Sequence, residues 1–309
     1  KCGHMGGKVL VPCREHVSRL TAARLQADIM GCDLVIIART DALSATLLDN
    51  NIDPVDQPYI LGSVDPNNPN KVATFPEAGA EAIKQKFSGS EQQRKLQEWN
   101  SKAKFLGLED ARKLAKDLGF EFYFDWEKTR TVEGFYRVKG CIDFCVARCN
   151  QYSKIADALW METPTPCLKT AKAFADGILK LHPGVFLTYN LSPSFNWDAA
   201  GMNDEQIANF CTELGKLGYC WQFITLAGFH TNALVSEKFA KDFSKRKMIA
   251  YVQKVQRKEA KHNVDQLLHQ KWSGAEMIDK QQILVTQNES LSSTNEHSTE
   301  HQFKIKPKL

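Results

Sequence analysis

Val185-Phe186-Leu187-Thr188-Tyr189-Asn190-Leu191-Ser192-Pro193-Ser194 runs from a short apolar stretch straight into a row of neutral hydrogen-bonding side chains. A run this short, and apolar on both faces, suits a strand covered on both sides, as in a parallel sheet. Three other runs share the form: Leu34–Ala38 before Arg39-Thr40-Asp41, Ala158–Met161 before Glu162-Thr163-Pro164, and Trp221–Leu226 before Ala227-Gly228. Helix-like stretches lie around them, at Glu15–Met30, Tyr136–Asp157, Leu168–Leu181 and Asp204–Leu217. The alternation predicts βα units and an α/β fold. Chemistry in such folds sits where the strands end.

Four convincing strands are visible where a closed (β/α)8 barrel needs eight, so half a barrel is expected. The chain opens on Lys1-Cys2-Gly3-His4-Met5 with no initiator Met, which reads as a protein cut in mid-loop. Ser63–Lys128 differs in character: a turn-rich entry, Asp65-Pro66-Asn67-Asn68-Pro69-Asn70, precedes charged helical sequence through Glu91–Ala103 and Leu108–Leu118. Phe120–Trp126 is apolar enough for a further strand. From Glu237 to His262 nine Lys/Arg stand against three Asp/Glu on a helical pattern, and beyond Gln287 the sequence turns to Asn, Ser, Thr, Glu and His. The expected organisation is a partial barrel in residues 1–62 and 129–236, a helical insertion in 63–128, and a helical tail with a polar C-terminal segment in 237–309.

Composition sets outer bounds. The 309 residues are 43% hydrophobic and 25% charged, as in soluble globular proteins. A net charge of +4 is too small to argue for a nucleic-acid partner, and no apolar run approaches the roughly 18 residues that a membrane span needs. Nine cysteines, odd in number and scattered, read as a reduced intracellular chain rather than a disulfide scaffold.

Several residues could carry chemistry. Cys2 lies two residues from His4, beside Lys1 and among Gly3, Gly6 and Gly7. Those surroundings lower a thiol pKa, although a buried inert cysteine fits the spacing as well. The glycines have neither Walker spacing nor a strand-then-GxGxxG context, so they make no nucleotide loop. Arg39 at a strand end is suited to gripping a carboxylate in bidentate fashion, or equally to pairing with Asp41. Asn190, Ser192 and Ser194 alternate, which can aim three neutral polar groups one way around a stiffening Pro193; a serine or Asx turn is the other reading. Cys141, Cys145 and Cys149 share a helix face, but zinc sites use closer pairs, so buried packing is the better account.

Lys1-Cys2-Gly3-His4-Met5-Gly6-Gly7-Lys8-Val9-Leu10-Val11-Pro12 resembles the signature of the isocitrate lyase family, from the second Lys of its Lys-Lys-Cys-Gly-His motif onward. The resemblance continues through Ile37-Ala38-Arg39-Thr40-Asp41, Trp160-Met161-Glu162-Thr163, Tyr189 to Trp197 and Gln222 to His230, and more weakly through Gln270 to Ala275. What it implies is a (β/α)8 barrel of the isocitrate lyase/phosphoenolpyruvate mutase superfamily, with Ser63–Lys128 similar to the helical insertion of eukaryotic members. The implied activity is Mg²⁺-dependent retro-aldol cleavage of isocitrate to glyoxylate and succinate by a homotetramer. By the same resemblance Cys2 protonates the succinate carbanion and His4 supports it, while Gly3, His4, Arg39, Glu162, Asn190, Leu191, Ser192, Pro193, Ser194 and Thr225 bind substrate. The family's metal carboxylates precede the cysteine motif, so no metal ligand is assigned here, and the 309 residues alone are expected to be inactive.

Two alternatives stay open. One is 2-methylisocitrate lyase, which shares the Cys-Gly-His core, although Met5-Gly6-Gly7-Lys8 favours the isocitrate enzyme. The other is a non-catalytic assembly protein that has kept the barrel. Pro307-Lys308-Leu309 resembles the peroxisomal Ser-Lys-Leu address except in its first residue, so peroxisome or glyoxysome is expected, with cytoplasm the alternative. Asn288–Phe303 resembles the family segment that moves over the active site, which implies a lid role for it.

Overall fold

The computed structural model describes residues 5–287 and 299–303. Cys2, Gly3 and His4 lie outside the described residues, as do most of the expected lid and the Pro307-Lys308-Leu309 ending. Two compact units divide between Thr225 and Leu226.

The first unit opens with β1 (Val9–Leu10), α1 (Cys13–Met30), β2 (Ile37–Thr40) and β3 (Leu47–Leu48). It continues through β4 (Leu61–Ser63), β5 (Val72–Thr74), α2 (Phe75–Lys86), α3 (Gly89–Lys102), α4 (Leu108–Asp117) and β6 (Tyr136–Arg137). It closes with α5 (Ile142–Tyr152), β7 (Ala158–Met161), α6 (Leu168–Leu179), β8 (Phe186–Asn190), α7 (Asp204–Lys216) and β9 (Tyr219–Phe223).

The α/β expectation stands. Strands β2, β7, β8 and β9 form a four-stranded sheet in that order, every pairing parallel. Ile37 sits opposite Ala158, Arg39 opposite Trp160, and Ala158 opposite Phe186, so the strands end together. Three of the four runs are displaced from their expected positions: the first strand begins three residues later, at Ile37, the third one residue later, at Phe186, and the last two residues earlier, at Tyr219. The expected helix Tyr136–Asp157 is shorter than its pattern. Tyr136 and Arg137 instead pair antiparallel with Leu48 and Leu47, and α5 starts only at Ile142.

The main core gathers Leu48, Ile60, Phe144, Leu159, Phe174, Leu187, Tyr189 and Leu214 between the parallel sheet and its helices. A separate apolar cluster lies among α2, α3 and α4, built on Phe75, Ile83, Trp99, Phe120 and Phe124. Phe120–Trp126 is not a strand: it touches the β4 end by a single bridge, Ser63 to Asp125, and spends Phe120 and Phe124 on this cluster. Gly79 lets α2 and α3 approach closely, because a Cβ there would come within 2.2 Å of the buried Trp99 ring. Helix α2 itself opens on a capping box, Thr74 accepting the Glu77 N–H while the Glu77 carboxylate accepts the Thr74 N–H.

Helix α1 has no capping side chain of its own. Its first N–H groups are taken from afar: Asp56 Oδ2 accepts the Cys13 N–H at 2.8 Å and Asp53 Oδ2 accepts the Arg14 N–H at 2.5 Å. Asp56 is fully buried and meets Arg148 Nη1 of α5 at 2.6 Å; Arg148 also donates to Val11 O and to the Tyr152 hydroxyl.

The second unit is helical: α8 (Ala227–Arg246), α9 (Met248–Tyr251), a π-helical turn over Val252–Gln256, α10 (Arg257–His262), α11 (His269–Trp272) and α12 (Ala275–Thr286). No residue of α8 is buried, and Phe229, Leu234 and Val235 on it are exposed. No helix among the described residues is long and apolar enough to cross a membrane.

Candidate active site

The C-terminal ends of the four parallel strands carry one connected row of polar side chains. Arg39 is the third residue of β2, and its cross-strand partner Trp160 on β7 lies under its guanidinium, 4.4 Å from carbon to ring centre. A cation over an indole face in this geometry is held by the ring quadrupole. Asp41, just past β2, accepts Arg39 Nε at 2.8 Å and Nη2 at 3.1 Å. The same carboxylate accepts Lys8 Nζ at 3.0 Å.

Glu162 follows β7 directly and is fixed by its N–H donating to Thr40 O at 3.0 Å. Its carboxylate is 3% exposed and stands 3.8 Å from Arg39 Nη2. Asn190, the last residue of β8, donates its amide to both Glu162 oxygens at 3.3 and 3.4 Å. Its carbonyl oxygen accepts the Thr225 hydroxyl at 3.2 Å. Arg39, Glu162, Asn190 and Thr225 therefore form one continuous chain across all four strands.

The segment after β8 behaves differently from its neighbours. Leu191 and Ser192 are buried, whereas Pro193 and Ser194 are exposed. Ser192 Oγ accepts the Ser194 N–H at 3.1 Å, which is the serine turn and not three hydroxyl and amide groups in line. Thr163 and Tyr189 join beneath it, hydroxyl to hydroxyl at 3.3 Å.

Of the residues expected at the site, the structure brings Arg39, Glu162, Asn190 and Thr225 together; Leu191, Ser192, Pro193 and Ser194 follow on the adjoining loop, and Cys2, Gly3 and His4 lie outside the described residues. Sequence reasoning missed Trp160 as the platform for Arg39, and Lys8 as a partner of Asp41. The first needs the β2–β7 register, and the second joins residues 33 positions apart. Cys145 and Cys149 sit in the main core with thiols pushed up by burial, in keeping with packing.

The Mg²⁺ implied by the family resemblance does not fit the residues described. Among them no three His, Cys, Asp or Glu side chains converge where a metal could be held. The two rim carboxylates are engaged already, Asp41 by Lys8 and Arg39, Glu162 by Asn190 beside Arg39.

A model of the isocitrate lyase family matches residues 1–105 and 68–303. The chain belongs to the isocitrate lyase family. Relatives named isocitrate lyase are 44% identical in Oryza sativa subsp. japonica, over 98% of this chain and 60% of that protein, and 42% identical in Saccharomyces cerevisiae, over 90% and 56%. The mitochondrial 2-methylisocitrate lyase of Hypocrea atroviridis is more distant, at 36% over 98% of this chain and 60% of its own length. The chain thus spans less than two thirds of the length of these isocitrate lyase family proteins.

Proposed function

We propose that this chain carries the substrate-gripping part of an isocitrate lyase, which cleaves isocitrate to glyoxylate and succinate. The observation that carries this reading is the unbroken row Arg39–Glu162–Asn190–Thr225 along the ends of four parallel strands. In a family member this row offers one cation, one buried carboxylate and two neutral hydrogen-bonding groups to a polycarboxylate. The four strands are consecutive strands of a (β/α)8 barrel, residues 63–128 an inserted helical subdomain, and residues 237–309 a tail that serves assembly.

The reaction is a retro-aldol cleavage. A base takes the proton of the isocitrate hydroxyl, the oxygen electrons close the new carbonyl of glyoxylate, and the carbon–carbon bond breaks towards the succinate carbon. That carbanion is delocalised into its carboxylate and then takes a proton from Cys2. Arg39, fixed by Asp41 and Trp160, is suited to hold a substrate carboxylate by charge-assisted hydrogen bonds. Asn190 and Thr225 offer neutral groups that orient without adding charge. His4 holds Cys2 in its working protonation state. Mg²⁺ is required by the proposed enzyme, and no residue of this chain is assigned to it.

The native-length protein is a homotetramer resident in the peroxisome. Turnover measured on isocitrate and on 2-methylisocitrate tests the reading: preferential release of glyoxylate and succinate is expected. Faster release of pyruvate from the methylated substrate would transfer the assignment to 2-methylisocitrate lyase, whose named relatives are 34–36% identical. No cleavage of either would favour a non-catalytic assembly protein.

A further inference from the structure

The main chain that carries Glu162 is held from two neighbouring strands. On one side the Glu162 N–H donates to Thr40 O, at the end of β2, at 3.0 Å. On the other side lies β8, whose last two residues take consecutive side chains of the same segment. Asn190 donates its amide to both Glu162 oxygens, and the Tyr189 hydroxyl accepts that of Thr163 at 3.3 Å. Successive strand residues point to opposite faces, so the two contacts straddle the end of β8. The Tyr189 ring packs edge-on against Phe210 of α7 and Tyr219 of β9, with ring centres 6.0 and 5.5 Å away. Thr163 is 4% exposed and Tyr189 1%, so neither hydroxyl can trade its partner for water without cost. Beyond Thr163 the chain passes Pro164 and Pro166 before α6. Two fixed φ angles leave that loop few ways to absorb a turn at Thr163.

We propose that Tyr189 is a positioning residue for the reaction: through Thr163 its hydroxyl fixes the main chain from which Glu162 reaches Asn190. The Glu162 carboxylate then meets substrate at a set place in the row. The assignment rests on the isocitrate lyase reading and deepens it. Tyr189 belongs to the main core, on the face of β8 opposite Asn190, and acts only through Thr163. One strand end thus holds both the carboxylate and the backbone behind it.

The test uses the native-length protein with Mg²⁺ and isocitrate. Tyr189→Phe keeps the ring contacts and loses only the hydroxyl. Its KM for isocitrate should rise about 3- to 10-fold with kcat within about twofold, the scale of one neutral hydrogen bond spent on binding. Thr163→Val should raise KM by a similar factor, and Thr163→Ser, which keeps the hydroxyl, should not. The double variant Tyr189→Phe/Thr163→Val leaves neither hydroxyl orphaned, so it should fold even where a single variant does not. Its KM should match that of either single variant and not the product of the two effects. Tyr219→Phe is the control for a merely structural loss: Tyr219 is equally buried and donates to Ala171 O at 2.9 Å. It should lower thermal stability and leave KM unchanged. Unchanged KM in Tyr189→Phe, multiplying effects in the double variant, or an equal rise in Tyr219→Phe each overturns the assignment. If the wild type cleaves no isocitrate, the lyase reading fails by itself, and amide exchange at Glu162 then decides the tie. Exchange about tenfold faster in Tyr189→Phe but not in Tyr219→Phe would uphold the tether, and equal exchange in the two would end it.

Discussion

Cys2 can be exchanged for serine with almost no change in volume, so a loss of activity would not be a packing effect. A serine hydroxyl, however, cannot cycle between acid and base near neutrality as a thiol can. In the native-length protein Cys2→Ser should keep the fold and lose activity by about 10²- to 10⁴-fold, the usual worth of a general acid–base group. Near-normal turnover would remove Cys2 from the mechanism. Asp41 supplies a second residue-scale prediction. Burial pushes its carboxyl up, but hydrogen bonds and charge from Arg39 and Lys8 outweigh that and hold it below its ordinary value of 3.8. A carboxyl depressed in the folded state adds stability above its unfolded value, and the contribution is lost as pH falls through the folded one. Asp41→Asn should thus be less stable than wild type to urea at neutral pH, with the gap shrinking as the pH falls past the ordinary value of 3.8 and through the lower folded one. A gap that stays constant would show that the ion pairs contribute nothing through charge. What sequence reading could see at this scale was the residue at each strand end. Arg39, Glu162 and Asn190 stand where apolar runs stop, and that is visible without coordinates; Thr225 lies inside its run, and it and Glu162 were named as site residues through the family resemblance. Lys8 meeting Asp41 was not visible, because a pair 33 residues apart leaves no periodic trace.

At the scale of elements, glycines in α2 and α7 should respond in opposite directions. Gly79→Ala gains helix propensity of up to about 1 kcal/mol but drives a methyl into Trp99, which is fully buried and cannot move aside. Overpacking of this kind costs about 1–3 kcal/mol, so a net loss is expected in the folded-state stability read by denaturant unfolding. Gly215→Ala in α7 meets nothing within 4 Å and should stabilise by about 0.5–1 kcal/mol. Stabilisation by Gly79→Ala would contradict the close approach of α2 and α3, and no gain from Gly215→Ala would contradict the open space beside α7. Elements were legible in proportion to how local their causes are. The strand Ala158–Met161 matches its apolar run at both ends, because both faces are covered over that whole length. Helix α2 went unread although Thr74-Phe75-Pro76-Glu77 spells its capping box, since the turn-rich stretch before it dominated the pattern. Tyr136 looked helical because its apolar spacing extends into α5; its real partner, Leu48, is far away in sequence.

For the whole molecule, the helical tail is the feature that most needs an explanation. Helix α8 buries none of its residues, while Phe229, Leu234 and Val235 remain exposed. In the proposed homotetramer this apolar surface is covered by another subunit. Light scattering of the native-length protein should give a tetramer, and a monodisperse monomer with full activity would overturn that. The overall α/β class was readable from alternation alone, whereas the separate apolar cluster of α2–α4 was not, because its members come from both sides of α4 and meet only in three dimensions. The capping of α1 bears on the order in which the chain matures. With its first amides held by Asp53 and Asp56, and Asp56 held in turn by Arg148, α1 depends on residues roughly 40 and 135 positions downstream. Such long loops must close before the helix gains its terminal hydrogen bonds, so α1 has little reason to persist early, however helical its sequence. The start of α1 becomes a late checkpoint in folding, passed only after α5 has docked.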